Sequence, residues 1–470
     1  MPVGRAFSRA TTVWVLFLRA NAWMLLYDPL SMEQASAALP QSTTDATTVA
    51  ATAGPQTFSE DWIAVALAVF VIGLVLAGVH PSLPRFAWAT PEELFGTVFS
   101  AGNLISALQM GILVLVPATA GAILLGIRPA SFVAGFVLLY ALAFIAQAAA
   151  GSAFASRWGL EYVLTALIVG LMLRQVMTAP AWLLAAARTE YYIKTGLVVL
   201  GASILFNEMV NAGLLGVVQG LIVVVSVWFF CFWLCKRLGV DDELSTMLSS
   251  AVSICGVSAA IATCGAIQGD RKKLSYVTSL VLIVAMPMMV IMPWVSQAMG
   301  LPDAVAGAWL GGTLDTSAAV VAAGEMVSDT ARDAAVVVKL SQNAMIGVAA
   351  FLLTVWWTMR KDTADKPKAS LSVIWERFPK FVIGFMVVSF VFSFALSQGL
   401  VAGTRGILNG VRTIWFALAF ISIGLETSLS GLVTTDEGRP ALAFLGGQAF
   451  NIVVTLIVSY VLFGGLASIA

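Results

Sequence analysis

Long apolar runs without charge dominate the pattern along the chain. One lies between Glu93 and Arg128 and holds 34 residues without Asp, Glu, Lys or Arg. About 20 apolar residues cross the hydrocarbon core as a helix, and a helix satisfies its own backbone hydrogen bonds, which lipid cannot do. The runs are apolar on every face, whereas a membrane β-barrel strand alternates. The pattern therefore predicts an all-α membrane protein embedded in the lipid bilayer.

Thirteen segments fit the length of a transmembrane helix, so we expect about 12–13 such helices, with a further short surface helix at 180–188. The segments lie at roughly 61–79, 100–126, 130–150, 158–176, 192–209, 213–235, 245–268, 275–298, 304–326, 334–358, 381–402, 407–430 and 441–465.

Polar segments divide the chain into four parts. Residues 1–59 are rich in Ser, Thr, Ala and Gln after one short apolar stretch, which predicts an interfacial helix and a disordered linker. Residues 60–359 hold transmembrane helices, including two segments rich in small residues. Residues 360–380 carry six Lys and Arg residues, and the positive-inside rule makes them a cytoplasmic loop. Residues 381–470 hold the C-terminal transmembrane helices.

Counting crossings backward from that loop places Arg271, Lys272 and Lys273 outside, against the same rule. The topology around 268–275 therefore stays open, and a re-entrant segment nearby would resolve the conflict.

Two pairs of segments resemble each other within the chain. VSAAIATCGAI at 257–267 matches TSAAVVAAGEM at 316–326 with an offset of 59 residues, and LGASILFNE at 200–208 is a weaker match for IGLETSLSG at 423–431. Seven predicted spans lead from one member of the second pair to the other, which would invert its orientation. Inverted repeats with broken helices at the midplane characterise many secondary transporters. We therefore expect inverted repeats and two broken or re-entrant helices near the midplane.

Composition narrows the classes of protein. The chain is 60% hydrophobic and 11% charged, and its 25 Lys+Arg residues balance 25 Asp+Glu residues, so no basic surface for nucleic acid is expected. His80 is the only histidine, and the four cysteines form no CxxC pair. We expect no metal site and no cofactor, and buried reduced cysteines that act as small hydrophobes.

The segment 249–269 is packed with Gly, Ala, Ser, Thr and Cys. Gly256 and Gly265 could unwind a helix there, and the backbone N–H groups of the half-helix that follows attract an anion. The alternative is close helix packing through small residues alone. Candidate substrate-binding residues in this segment are Ser253, Cys255, Gly256 and Ser258.

The segment 307–324 places Asp315 inside an apolar stretch, where an ionisable residue costs several kcal/mol unless it has a partner or a cavity. Two roles remain open for Asp315. It is either the N-cap of a helix at a break or the coupling group that binds H⁺ or Na⁺. Candidate substrate-binding residues around it are Gly312, Thr313, Thr316 and Ser317.

Lys339, Gln342 and Asn343 share one face of the next predicted helix, at spacings of three and four residues. They are candidate substrate-binding residues if this face meets the cavity. Two alternatives remain open: Lys339 pairs with Asp315 in the cavity, or it reaches the membrane interface with its long side chain. Lys194, Arg412 and Glu426 lie near the ends of predicted spans, where solvated positions are expected.

Three motifs together resemble the bacterial sulfate exporter family of YeiH-type inner-membrane proteins. They are SICGVSAA (253–260), GGTLDTSAAVVAAG (311–324) and VVVKLSQN (336–343), and the likeness covers roughly residues 95–465. The resemblance implies a secondary transporter of the bacterial inner membrane for sulfate or a related sulfur oxyanion or sulfonate. Many members have His-Asp where this chain has Asp315-Thr316, a glutamine near Ala319, and arginine at Gln342, so family-wide statements on coupling and anion charge do not transfer directly.

These observations predict a secondary active transporter, an exporter of a small anion such as sulfate, sulfite or a sulfonate, working by alternating access coupled to H⁺ or Na⁺. No GxxxxGK[ST] loop for ATP is present. An anion channel would use the same site and is the closest alternative. A membrane-embedded enzyme is a second alternative, but an enzyme is not expected, because it would need a nucleophile with a base or a metal cluster, and the one histidine, His80, lies at the edge of a predicted span. Assembly into homo-oligomers is open.

Overall fold

The computed structural model describes residues 59–157, 161–204, 206–360, 372–426 and 438–466. The predicted interfacial helix and linker at 1–59 lie outside these residues, except for residue 59, and so does most of the predicted loop at 360–380. Within the described ranges the chain is helical, and its only β pairing is an isolated bridge between Trp88 and Ser152. The predicted all-α membrane class is confirmed.

We label eighteen helices in chain order and leave short turns unlabelled. They are α1 Glu60–Leu76, α2 Ala101–Leu124, α3 Pro129–Ala150, α4 Tyr162–Val176, α5 Ala181–Ala186, α6 Thr189–Leu200, α7 Phe206–Arg237, α8 Asp242–Ser250, α9 Val257–Ile267, α10 Arg271–Ala298, α11 Asp303–Thr313, α12 Ser317–Glu325, α13 Asp329–Ala344, α14 Ile346–Arg360, α15 Ser372–Arg377, α16 Lys380–Phe390, α17 Gln398–Glu426 and α18 Gly438–Ser459.

Seven of the described helical stretches are long and apolar enough to cross a membrane, among them α2, α3, α17 and the joined pair α13–α14. Other predicted spans are shorter helices or broken pairs. The predicted span at 192–209 ends at Leu200, before α7 begins at Phe206. The predicted division between 381–402 and 407–430 lies instead at Leu396, whose extended backbone (φ −102°, ψ 148°) ends a π-helical turn before α17. The short helix α5 lies at the surface of the described structure, as predicted: Trp182 and Leu184 are exposed, and Leu183 and Ala186 pack inward.

The helices pack as two bundles. The first bundle consists of α1–α6 with α16 and α17, and the second consists of α7–α14 with α18. The half-length helix α12 of the second bundle packs against α4, α6 and α17 of the first. This helix therefore forms much of the boundary between the bundles.

Small residues bring α11 close to α13 inside the second bundle. A Cβ atom built on Gly307 would lie 2.2 Å from the carbonyl oxygen of Ala331, and one built on Gly311 would lie 2.4 Å from that of Ala335. A side chain at either position would push the helices apart. This approach brings the end of α11 beside the polar face of α13.

Candidate functional site

The first break in a helix lies at Gly256. Helix α8 continues through a π-helical turn, Ala251–Cys255, and ends at Gly256, which has φ 60° and ψ −112°. Residues with a side chain rarely adopt this backbone conformation, and glycine adopts it without strain. Helix α9 begins at the next residue without a side-chain cap. The predicted span 245–268 is therefore two half-helices joined at one glycine, while Gly265, the other predicted breaking point, lies inside α9.

The second break lies between Thr313 and Ser317. Helix α11 ends at Thr313, Leu314 is extended (φ −72°, ψ 136°), and Thr316 caps α12 by accepting a hydrogen bond from the backbone N–H of Ala319 at 3.1 Å. The cap is therefore Thr316, and the proposal that Asp315 is the N-cap is wrong. The reason is that α12 starts one residue later than that role requires.

The two breaks touch each other. A Cβ atom built on Gly256 would lie 3.1 Å from both the Cβ atom and the carbonyl oxygen of Asp315. Four half-helix ends therefore meet around these two residues: the C-terminal ends of α8 and α11 and the N-terminal ends of α9 and α12.

Lys339 of α13 joins both breaks. Its Nζ donates hydrogen bonds to the carbonyl oxygens of Ile254 and Leu314, each at 2.7 Å, and to Oε1 of Gln342 at 3.2 Å. Lys339 is 2% exposed, so its side chain does not reach the interface. The ammonium lies at the negative ends of two half-helix dipoles, where a cation is stabilised.

Amide side chains satisfy other carbonyl groups at the breaks. Asn451 of α18 donates to the carbonyl oxygens of Val252 at 3.2 Å and Thr313 at 3.3 Å, and so spans both breaks as Lys339 does. Gln448 of α18 donates to the carbonyl oxygen of Thr313 at 3.0 Å. Gln342 of α13 donates to that of Gly312 at 3.2 Å. Polar groups of α13 and α18 thus hold the unwound backbone where no helical partner exists.

Several buried polar atoms at the breaks have no hydrogen-bond partner among the described protein atoms. Such atoms cost free energy when dry, and a cluster of them needs an explanation such as a ligand site. They are Oγ of Ser253, Oγ1 of Thr313, Oδ2 of Asp315, Oδ1 of Asn343 and Oε1 of Gln448.

A narrow crevice lies along the boundary between the bundles and reaches Lys339 at the site. Leu197 of the first bundle lines one side, and Ser317, Val321 and Lys339 of the second bundle line the other. Its width leaves no room for a water molecule in this conformation. The site is therefore closed here, and a change in the contact between the bundles would open it.

The structure brings together most of the residues predicted for the site. Gly312, Thr313, Asp315, Ser253 and Cys255 are buried at the breaks. Thr316 caps α12, and Oγ of Ser317 accepts a hydrogen bond from Nδ2 of Asn343 at 3.1 Å. Ser258 is the exception: it lies on the exposed face of α9 with Ile261 and Gly265, and is not brought to the buried cluster.

Sequence reasoning missed the polar face of α18. Gln448, Asn451, Thr455 and Ser459 are all buried, at helical spacings of three and four residues. Ser459 and Thr455 extend the network by donating to Gln219 at 3.2 Å and to Asn451 at 2.7 Å. The signal was present in the sequence, because four polar residues at this spacing in an apolar helix define one face.

Of the charged residues predicted to be solvated, one is buried and another is only partly exposed. Arg412 is 7% exposed and lies within α17 rather than at its end, because α17 begins at Gln398. Lys194 forms ion pairs with Asp61 at 2.9 Å and Glu60 at 3.3 Å. Glu426 is exposed, as predicted. Over the described part of the chain, no group of three His, Cys, Asp or Glu side chains could hold a metal ion.

Comparison with known proteins identifies relatives of most of this chain. The family described as conserved hypothetical protein 698 matches residues 134–443, which include both breaks and Lys339. The UPF0324 membrane protein RB9488 of Rhodopirellula baltica is 38% identical over 348 residues, covering 71% of this chain and 63% of that protein. A UPF0324 membrane protein of Nitratidesulfovibrio vulgaris is 35% identical over 346 residues, covering 71% of this chain and 59% of that protein.

The chain therefore spans about three fifths of the length of these two relatives. The UPF0324 inner membrane protein YeiH of Escherichia coli K12 is 25% identical over 281 residues, covering 57% of this chain and 78% of that protein. No solved structure matches the chain. The match over residues 134–443 shows that the chain belongs to the conserved hypothetical protein 698, or UPF0324, family of multi-pass membrane proteins of the YeiH inner-membrane type.

Proposed function

We propose that this protein is a secondary active transporter that exports a small anion across the bacterial inner membrane. The observation that carries the proposal is the meeting of two broken helices at Gly256 and Asp315, with the buried ammonium of Lys339 bonded to both. Broken helices that meet in this way offer half-helix ends to a substrate and to a coupling ion. A purely structural membrane bundle has no need of them.

The anion would bind where the N-terminal ends of α9 and α12 converge. The helix dipoles and free backbone N–H groups there favour negative charge. Hydroxyl groups of Ser253 and Thr313 would donate to it, since their oxygens have no other partner among the described protein atoms. Lys339 adds the one formal positive charge. Sulfate, sulfite and sulfonates fit this set of donors, and the site needs no cofactor and no catalytic residue.

Asp315 is the proposed coupling group. Its Oδ2 atom is buried and has no hydrogen-bond partner in the described structure, and the capping role belongs to Thr316. A carboxylate beside the site repels an anion unless a proton or Na⁺ neutralises it. Loading of the coupling ion and loading of the substrate are therefore linked.

Alternating access would move the second bundle against the first. The crevice between Leu197 and Lys339 is closed in this conformation, and α12 carries one wall of it. A displacement of α12 relative to α6 would widen the crevice and expose the site on one side.

Thermal-shift titration of the purified protein tests the anion site. Sulfate, sulfite, taurine, sulfoacetate and carboxylates would each be added with and without Na⁺ at two pH values, because a ligand of the folded state raises its apparent stability. We expect an oxyanion-dependent rise that Lys339→Ala removes. A rise with neutral or cationic solutes only would refute the anion site and leave the fold unassigned to a substrate.

Asp315→Asn tests the coupling role. We expect the variant to fold normally, since the amide keeps the shape of the side chain, and to lose gradient-driven transport in proteoliposomes while retaining exchange of anion for anion. Gradient-driven transport at the wild-type rate would refute the coupling role of Asp315.

A further inference from the structure

A buried arginine lies halfway along a membrane-spanning helix and outside the site described above. Arg412 is 14 residues from each end of α17, which runs from Gln398 to Glu426, and its side chain is buried. An ionisable residue in the middle of such a helix is costly, and it marks a function when its partner is weak.

The partner of Arg412 is weak. Its Nη2 atom lies 3.6 Å from Oε1 of Glu325, whereas charge-assisted hydrogen bonds are usually about 2.7–2.9 Å. The same Glu325 oxygen is shared with Nη1 of Arg332 at 3.4 Å. The Nε atom of Arg412 is buried with no partner among the described protein atoms.

Arg332 does not compete for a further anion, because acidic groups already surround it. Its Nη2 atom lies 2.6 Å from Asp333, and its Nη1 atom also pairs with Asp329. Among the described residues, Arg412 forms one ion pair, and that contact is long and shared with Arg332.

The contact between Arg412 and Glu325 crosses from one bundle to the other. Arg412 belongs to α17 of the first bundle, and Glu325 is the last residue of α12 in the second. The first residue of α12 is Ser317 at the site, and nine helical residues span about 13 Å. A movement of α12 that opens the site therefore also moves Glu325 relative to Arg412.

Separation of this pair would remove from a buried guanidinium the one carboxylate that forms an ion pair with it among the described residues, which is costly in a low-dielectric interior. We propose that Arg412 is a second anion-binding residue, occupied by the Glu325 carboxylate in the closed conformation and by the transported anion when the bundles separate. This inference rests on the proposed transport function. It also explains how movement without substrate is suppressed, since only an anion restores the lost ion pair.

The geometry of the guanidinium defines the class of ligand. Its planar fork donates two parallel hydrogen bonds to two oxygens of one group, as in a carboxylate, a sulfonate or sulfate. A monatomic anion such as chloride offers a single acceptor. We therefore expect Arg412 to select oxyanions over chloride.

Thermal-shift titration with sulfate, acetate and chloride tests the inference in five proteins: the wild type, Glu325→Gln, Arg412→Gln, Arg412→Lys and the control Arg405→Gln. Arg405 is an exposed arginine of the same helix. Removing the competing carboxylate in Glu325→Gln should lower the Kd for sulfate or acetate about tenfold. Arg412→Gln should raise it at least tenfold, Arg412→Lys should fall between, and Arg405→Gln should match the wild type.

Each outcome decides a different question. Equal Kd values for an oxyanion in the wild type, Glu325→Gln and Arg412→Gln would overturn the role of Arg412 and leave the proposed transporter intact. A lower melting temperature in Glu325→Gln without a change in the Kd for the oxyanion would show that Arg412 and Glu325 form a structural ion pair only. Failure of every protein to bind any oxyanion would overturn the anion transporter and this inference together. If Arg412→Gln does not fold, the test rests on Glu325→Gln. Tighter binding of the oxyanion by this variant, with unchanged binding of chloride, would support the role of Arg412, and unchanged oxyanion binding would overturn it.

Discussion

The two breaks in the second bundle interrupt a helix by different means. The break before α9 uses one residue, Gly256, whose backbone turns at φ 60° without a side-chain cap. The break before α12 uses three residues from Leu314 to Thr316, and the Thr316 hydroxyl caps the helix that follows. The helix after the first break therefore starts at a glycine with positive φ, and the helix after the second starts at a side-chain cap.

The breaks nevertheless occupy equivalent positions of the internal similarity. The offset of 59 residues that aligns 257–267 with 316–326 also aligns Gly256 with Asp315, and these two residues touch. Both copies therefore break the helix at the same position, but the first copy has glycine there and the second has aspartate. Only glycine leaves room for the Cβ atom and the carbonyl oxygen of Asp315 at this contact, so the residue that differs between the two copies also allows the breaks to touch.

The largest effect should come from Gly256→Ala. A Cβ atom there would lie 2.6 Å from Val281 and 3.1 Å from Asp315, at a positive φ that side chains rarely adopt. Backbone strain and overpacking together should destabilise the protein by about 3–5 kcal/mol, measured by denaturant unfolding in mixed micelles. The matched control is Gly403→Ala in α17, where nothing lies within 4 Å. A Gly256→Ala protein as stable as that control would contradict a break fixed by the backbone.

Lys339→Met should have the next largest effect, because it acts on both breaks at once. The apolar side chain has a similar length but leaves the carbonyl oxygens of Ile254 and Leu314 without their donor. Two unsatisfied buried acceptors should cost about 3 kcal/mol in the same unfolding assay. Lys272→Met, on an exposed side chain of α10, should change stability by less than about 0.5 kcal/mol. Equal stability of the two variants would show that Lys339 does not hold the breaks together.

The sequence predicted the class of fold and most of the site, for a physical reason. Membrane helices are visible as uncharged runs, and polar residues in those runs are costly enough to mark a candidate site, as at Asp315 and Lys339. Helix ends were less predictable, because broken helices keep the same apolar composition through the break. The prediction for Arg412 was wrong for this reason. A predicted boundary near residue 407 put Arg412 near a helix end, whereas it lies in the middle of α17.

The partners of the predicted site residues could not be read from the sequence in the same way. Lys339 bonds to carbonyl oxygens at Ile254 and Leu314, and any residue type supplies a carbonyl oxygen. The capping of α12 by Thr316 rather than Asp315 depends on a shift of one residue in where the helix begins. Both side chains are common N-caps, so composition does not decide between them.

Thr316→Ala should have a smaller effect, confined to the second break. The loss of the hydrogen bond to the backbone N–H of Ala319 should destabilise the protein by about 1 kcal/mol, the usual value for a lost N-cap. Thr316→Ser keeps the hydroxyl and should restore most of the stability. If the serine variant is as unstable as the alanine variant, packing of the threonine methyl group and not the cap accounts for the loss.

The smallest effect on stability is expected for two serine variants, one in the buried cluster at the breaks and one on the exposed face of α9. Oγ of Ser253 is buried without a partner among the described protein atoms, so Ser253→Ala removes an unsatisfied group and should leave stability unchanged or slightly higher, within about 0.5 kcal/mol. Ser253→Ala should instead weaken anion binding, with a several-fold higher Kd for the oxyanion. The reason is that the bound anion is the acceptor that the Ser253 hydroxyl otherwise lacks. Ser258→Ala removes the same atom from the exposed face of α9 and should change neither stability nor Kd. Weaker anion binding in Ser258→Ala with no change in Ser253→Ala would move the binding site from the meeting point of the two breaks to the outer face of α9.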